Sequence, residues 1–197
     1  MRILFVSLFI VIADQLSKIF VKGIEIIPLN IKLNGMYPGQ RIPVLHNIFN
    51  ITFVENPGIA FGIDFGGQFK LLITLITLIA CLILFIIFYR NKNKKIMLRL
   101  SLAFILGGAI GNLIDRLFYG VIYGYAPLFY GKVVDFFDLK ILNIYIFNHL
   151  MGNYIFNFAD LAVTAGVILL FFVYGREQNE EKEVTAPIEN YLAENRE

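Results

Sequence analysis

Two aspartates stand at the edges of apolar segments, Asp135 in Val133-Val134-Asp135-Phe136 and Asp160 in Phe156-Asn157-Phe158-Ala159-Asp160. Carboxyls carried by different helices could meet there around one water. Like-charge repulsion and desolvation then leave a single proton between them, so one carboxylate acts as base on the water while its protonated partner polarises a peptide carbonyl. Such aspartyl hydrolysis needs neither metal nor nucleophile. That suits a chain whose only histidines are His46 and His149, whose one cysteine is Cys81, and which has no metal-ligand spacing. Both histidines read as surface residues without a role, and Cys81 as a small buried hydrophobe.

Further polar groups gather around the same depth. A carboxylate inside a membrane span costs roughly 2.5–3.5 kcal/mol on insertion scales, so Asp14 and Asp115 need a reason too. On a helix, Asp14 and Lys18 are four residues apart and can neutralise each other in support of a neighbouring site. Asn112, Asp115 and Arg116 project from a common face, and Asn157 and Asp160 are spaced three apart at the start of an apolar run. An interfacial ion pair would explain Asp115 and Arg116 but not Asn112. As a helix cap, Asn157 has an adequate structural explanation, and an aspartate in the first helical turn is favoured by the dipole. Gly107, Gly108 and Gly111 form a small-residue face for close helix approach. Spacing alone does not choose Asp135 over Asp138, where substitution is expected to be mild.

Four segments must position these groups. The chain is 58% hydrophobic and 16% charged, against roughly 45–50% and 25% in soluble domains, which makes it a membrane protein. Stretches near the ~20 residues that span a hydrocarbon core run at about Ile3–Val21, Leu71–Tyr89, Leu100–Tyr119 and Phe158–Tyr174. Five Lys/Arg in Arg90–Arg99 mark that connector as cytoplasmic, and both termini with it. The expected fold is an all-α membrane protein, a four-transmembrane-helix bundle with a small extracytoplasmic β-sheet in the first outer loop. There Ile27, Leu29, Ile31 and Leu33 alternate with other residues, Ile48–Val54 is rich in β-branched and aromatic types, and Asn34-Gly35 and Pro38-Gly39 offer turns. The division is residues 1–176 as one four-span domain, with outer loops at about 22–70 and 120–157, and 177–197 as a Glu-rich cytoplasmic tail, disordered or marginally helical.

Five motifs occur in order: Asp14-Gln15-Leu16-Ser17-Lys18, Glu55-Asn56-Pro57-Gly58-Ile59-Ala60-Phe61-Gly62, Gly107 through Arg116, Val133-Val134-Asp135-Phe136 and Phe156 through Asp160. Together they resemble the motif set of bacterial lipoprotein signal peptidases, the type II signal peptidases. The resemblance implies an aspartic endopeptidase of the bacterial inner membrane, active near its outer face. It would cleave diacylated prolipoproteins on the N-terminal side of the lipidated cysteine, as a monomer, with membrane lipid as its surroundings and without cofactor, metal or nucleic acid. It also implies Asp135 and Asp160 as the catalytic pair, with Asn112, Asp115, Arg116 and Asn157 ordering the site and Asp14 and Lys18 supporting it. Asn56, Gly58 and Ala60 would belong to the loop that meets substrate, together with Phe61 as a possible clamp and Gly108 on the third span. An aromatic, glycine-rich insert around Tyr119–Gly131 departs from the family pattern; its tyrosines are a second possible clamp or an interfacial anchor. A proton- or ion-coupled transporter would spread its charges through the membrane depth, and a lipid phosphotransferase would need a divalent cation.

Overall fold

The computed structural model describes residues 2–26, 28, 30–45, 48–58, 67–146 and 149–194, and of 141–153 and 177–194 only the backbone course. Ala60 and Phe61 therefore lie outside the described residues, as do Ile27, Leu29 and His46. The helices are α1 (Leu4–Lys22), α2 (Gly67–Arg90), α3 (Ile96–Ile114), a short α4 (Gly120–Ile122) and α5 (Phe158–Glu194). Between α3 and α4 the chain widens into a π-helical turn, Asp115–Tyr119. Among the described residues, four helical stretches are long and apolar enough to cross a membrane: Leu4–Lys22, Gln68–Arg90, Ile96–Ile122 and Phe158–Arg176. Phe5, Phe9 and Phe20 of α1 and Phe171 and Phe172 of α5 are exposed on the outside of the bundle, a surface that suits hydrocarbon and not water. The Glu-rich tail continues α5 as helix through Glu194.

Helix α3 is the centre of the bundle and touches the other three long helices. Its glycines explain how closely they come. A Cβ at Gly107 would stand 3.0 Å from Ser7 and Ile10 of α1, and one at Gly108 would stand 2.3 Å from the Ala159 carbonyl of α5. At Gly111 a Cβ would meet Asp14 Oδ2 at 2.6 Å. No side chain fits in these contacts, so the small face is a requirement of packing.

The strands correct the all-α expectation. A hairpin pairs β1 (Gly23–Ile26) with β2 (Ile31–Asn34), while β3 (Arg41–Leu45), β4 (Phe49–Asn56), β5 (Val133–Ile146) and β6 (His149–Phe156) form one antiparallel sheet in that order. The larger sheet thus draws two strands from each of two loops far apart in sequence, and is not confined to the first. The first half of strand β5 is covered: Val133, Val134 and Phe136 are buried, and Val21, Phe53, Tyr119, Val134 and Phe136 form a core joining α1, the sheet and the π turn. This sheet fixes the height of Asp135, which lies on a strand and not at the end of a helix.

Candidate active site

The two aspartates arrive on different kinds of element and are held together by amides. Asp160 is the third residue of α5, and it forms a reciprocal cap with Asn157: Asp160 N donates to Asn157 Oδ1 at 3.0 Å while Asn157 N donates to Asp160 Oδ2 at 3.0 Å. The cap leaves Asn157 Nδ2 free to point elsewhere. It donates to Asp135 Oδ1 at 2.7 Å and to Asn112 Oδ1 at 3.0 Å, and Asn112 Nδ2 in turn donates to Asp160 Oδ1 at 2.8 Å. Asn56, the last residue of β4, donates to Asp135 Oδ2 at 3.1 Å, and its own Oδ1 accepts from Gly58 N at 2.9 Å. Each of the four carboxyl oxygens therefore accepts one hydrogen bond and retains a lone pair for a further partner.

Below this layer lies a buried charge network. Asp14, Lys18, Asp115 and Asn157 have no solvent exposure. Lys18 uses all three of its donors, on Asp14 Oδ2 and Asp115 Oδ2 at 2.8 Å each and on Asn112 Oδ1 at 2.9 Å. The other oxygen of Asp14 accepts from Ala159 N at 2.9 Å, one of the backbone donors left open at the start of α5. Asp115 Oδ2 also accepts from Val134 N at 3.1 Å, so one carboxylate ties α3 to the strand beside Asp135. Such a network holds because every charge in it is paired and hydrogen-bonded; the loss of a single member would strand the rest.

Arg116 donates to the Asn112 carbonyl at 3.4 Å and stands within the field of Asp115, Asp135 and Asp160. Two cations, Lys18 and Arg116, thus face four carboxyls. Asp135 answers this imbalance: burial, and then the charge of Asp160, lift its carboxyl from the ordinary 3.8 to about 7, against the opposing hydrogen bonds of Asn56 and Asn157. Asp135 thus keeps its proton much closer to neutrality than a free carboxyl would.

Comparison with known proteins bears on the family. The model described as Signal peptidase (SPase) II matches residues 6–175. The chain belongs to the signal peptidase II family. A lipoprotein signal peptidase of Moorella thermoacetica is 35% identical over 170 residues, covering 86% of this chain and 90% of the relative, and one of Clostridium acetobutylicum is 34% identical over the same length and shares. A bacterial membrane enzyme solved by the in meso method at 2.3 Å superposes with a TM-score of 0.63 at 29% identity, covering 92% of both chains. As a signal peptidase II the protein is a multi-pass membrane peptidase, and the transporter reading is left without support.

Within this signal peptidase II the expected site residues divide by position. Asp135, Asp160, Asn112, Asn157 and Asn56 form one hydrogen-bonded cluster, with Asp14, Lys18 and Asp115 directly beneath. Gly58 has φ +88°, a conformation that favours glycine, and follows Asn56 into the undescribed segment that holds Ala60 and Phe61. Gly108 packs at the α3–α5 crossing. The places of Gln15 and Tyr119 in this network escaped sequence reasoning. Gln15 Nε2 donates to Asp115 Oδ1 at 2.9 Å, to Asp14 Oδ2 at 3.1 Å and to the Gly111 carbonyl at 3.1 Å, and Tyr119 donates to Gln15 Oε1 at 3.1 Å. A glutamine inside an apolar span was the available signal for the first; the π turn that aims Tyr119 left none.

Asp138, close to Asp135 in sequence, belongs elsewhere. It is fully buried, with Oδ2 held by Arg41 at 2.6 Å and by Thr52 at 2.7 Å, and among the described residues no partner meets its Oδ1. These contacts join β3, β4 and β5, so a substitution at Asp138 bears on the sheet.

Proposed function

We propose that the protein is an aspartic endopeptidase that removes the signal peptide of diacylglyceryl-modified prolipoproteins, with Asp135 and Asp160 as its catalytic pair. The observation that carries the reading is the bridge through Asn157, whose side chain holds Asp135 and whose backbone and side chain hold Asp160. It brings two carboxyls together with spare lone pairs and one titrating near neutrality. In the proposed reaction Asp160 takes a proton from a water as its oxygen attacks the scissile carbonyl, and Asp135 gives its proton to the carbonyl oxygen. Collapse of the tetrahedral adduct returns that proton to Asp135 and delivers the other to the departing amino group of the lipidated cysteine. Asn112 and Asn157 hold the carboxyls through both steps, and Asn56, Gly58, Ala60 and Phe61 are assigned to the loop over the substrate.

Residues 1–176 form the working unit in this reading, acting as a monomer with membrane lipid around it, and 177–197 are a cytoplasmic tail. The excess of Lys/Arg in Arg90–Arg99 supports cytoplasmic termini, which puts the dyad and the four-stranded sheet at the outer face of the inner membrane. Purified protein incubated with a diacylated prolipoprotein should release a signal peptide. Intact, folded protein that yields no product would sink the proposal.

A further inference from the structure

The insert between α3 and β5 is built around one ammonium group. Lys22, in the last turn of α1, places Nζ 3.8 Å from the ring centroid of Tyr123, 4.8 Å from that of Tyr125 and 5.6 Å from that of Tyr119. Burial first, and then Asp115 and Glu55 among other neighbours, push Tyr123 up to about 12, and Tyr125 is also lifted to about 12, so both rings are neutral and hold the cation through their faces. The same nitrogen donates to Glu55 Oε1 at 2.5 Å, while Lys132 donates to Glu55 Oε2 at 3.1 Å. Tyr123 donates to the Gly23 carbonyl at 2.9 Å, and Lys132 N donates to the Tyr125 hydroxyl at 2.8 Å. Tyr123 and Tyr125 thus contact the end of α1 and the start of β5.

Glu55 sits beside the residue that touches Asp135. In the β4–β5 register Glu55 faces Val134 and Asn56 faces Val133, with Lys132 immediately before. One carboxylate therefore pins both strands at the end where Asn56 meets Asp135. Lys18 and Lys22 lie four apart on one face of α1: the first gathers the helical half of the site, the second the sheet half.

We propose that Lys22, Glu55 and Lys132, within their tyrosine cage, are positioning residues that hold Asn56 against Asp135, a proposal that rests on the dyad reading. None of the three reaches the reacting atoms. Burial alone would raise the Glu55 carboxyl, but the hydrogen bonds and charges of Lys22 and Lys132 hold it below the ordinary 4.5, so it is ionised whenever the enzyme works. Charge-assisted hydrogen bonds to both its oxygens set the strand ends more firmly than neutral contacts could.

The test reads the pH profile of kcat, because a residue that only stabilised the fold would not move it. Asp135 feels Asp160 from α5, Lys18 from α1, Arg116 from the π turn, and the amides of Asn56 and Asn157. A donated hydrogen bond from Asn56 favours the ionised form, so loosening it should move the high-pH limb upward by about half a unit. Glu55→Gln should do this and lower kcat roughly tenfold with little change in KM, as should Lys22→Met, while Lys22→Arg, which keeps a cation for the ion pair and the rings, should bring the limb back toward its native position. Asn56→Ala should shift the limb in the same direction, and adding Glu55→Gln to it should shift it no further. An unmoved limb in folded Glu55→Gln, or shifts that add in the double variant, would overturn the proposal while loss of activity in Asp135→Asn still upheld the dyad. If Asp135→Asn stays active, the dyad reading falls and this one with it. Should Glu55→Gln not fold, Lys132→Gln strips only the more exposed arm and must move the limb upward; a folded Lys132→Gln with a native limb overturns the proposal equally.

Discussion

Asp160 and Asn157 cap the start of α5 reciprocally, and the same Asn157 side chain donates to Asp135, so the cap that starts the helix also ties the two proposed catalytic carboxyls together. Asp135→Asn and Asp160→Asn should each lower kcat by several orders of magnitude with the fold retained, measured as signal-peptide release per folded molecule. Near-native turnover in either would remove the dyad. Lifted from 3.8 to about 7 by burial and by Asp160, Asp135 binds its proton more tightly folded than unfolded. Its contribution to stability is fully present below about pH 4 and is lost as pH rises through about 7. Melting temperatures across that range should fall in the native protein and fall less in Asp135→Asn. For Asp138→Asn the expected cost is about 1–3 kcal/mol, moderated because Arg41 is partly exposed, with turnover per folded molecule unchanged. Spacing made Asp14 with Lys18 and Asn157 with Asp160 legible, since partners three or four apart on a helix share a face. It did not separate Asp135 from Asp138, because both positions lie on one buried strand and only the third dimension gives each its neighbours.

Helices were easier to read than strands for a physical reason. An apolar run long enough to cross a membrane has few alternatives, and the four expected spans agree with the four long helices to within a few residues at most ends. Strand β5 gave no alternation to find, because core covers it on both faces in its first half, and its pairing with β4 depends on a partner about eighty residues away. The π turn at Asp115–Tyr119 likewise has no local pattern that announces it. Where the glycines bring helices into contact, the effect of a methyl can be stated. Gly108→Ala should push against the Ala159 carbonyl, cost about 1–3 kcal/mol and displace the first turn of α5. Lowered melting together with lowered kcat is the expected result; a native kcat in the folded variant would show that the start of α5 can shift without disturbing Asp160.

On the scale of the whole chain, charge sets the expected direction of insertion. A protease-accessible tag in the Arg90–Arg99 connector should be reached only from the cytoplasm, and one near Gly39 only from outside. The reverse result would put the aspartates on the wrong face for an exported substrate. Cleavage should also persist in EDTA, the outcome that separates carboxylate hydrolysis from divalent-cation chemistry.

The sheet that joins both loops has a consequence in time. β4 leaves the ribosome early, but its partner β5 follows only after α2 and α3, and Asp160 comes later still, on the last span. Pairings of such long sequence separation form slowly and late. In the dyad reading a nascent chain therefore carries Asn56, then Asp135, apart from Asp160, and the proposed catalytic pair is complete only when the last helix is in place. A peptidase assembled in this order is silent throughout its own biogenesis.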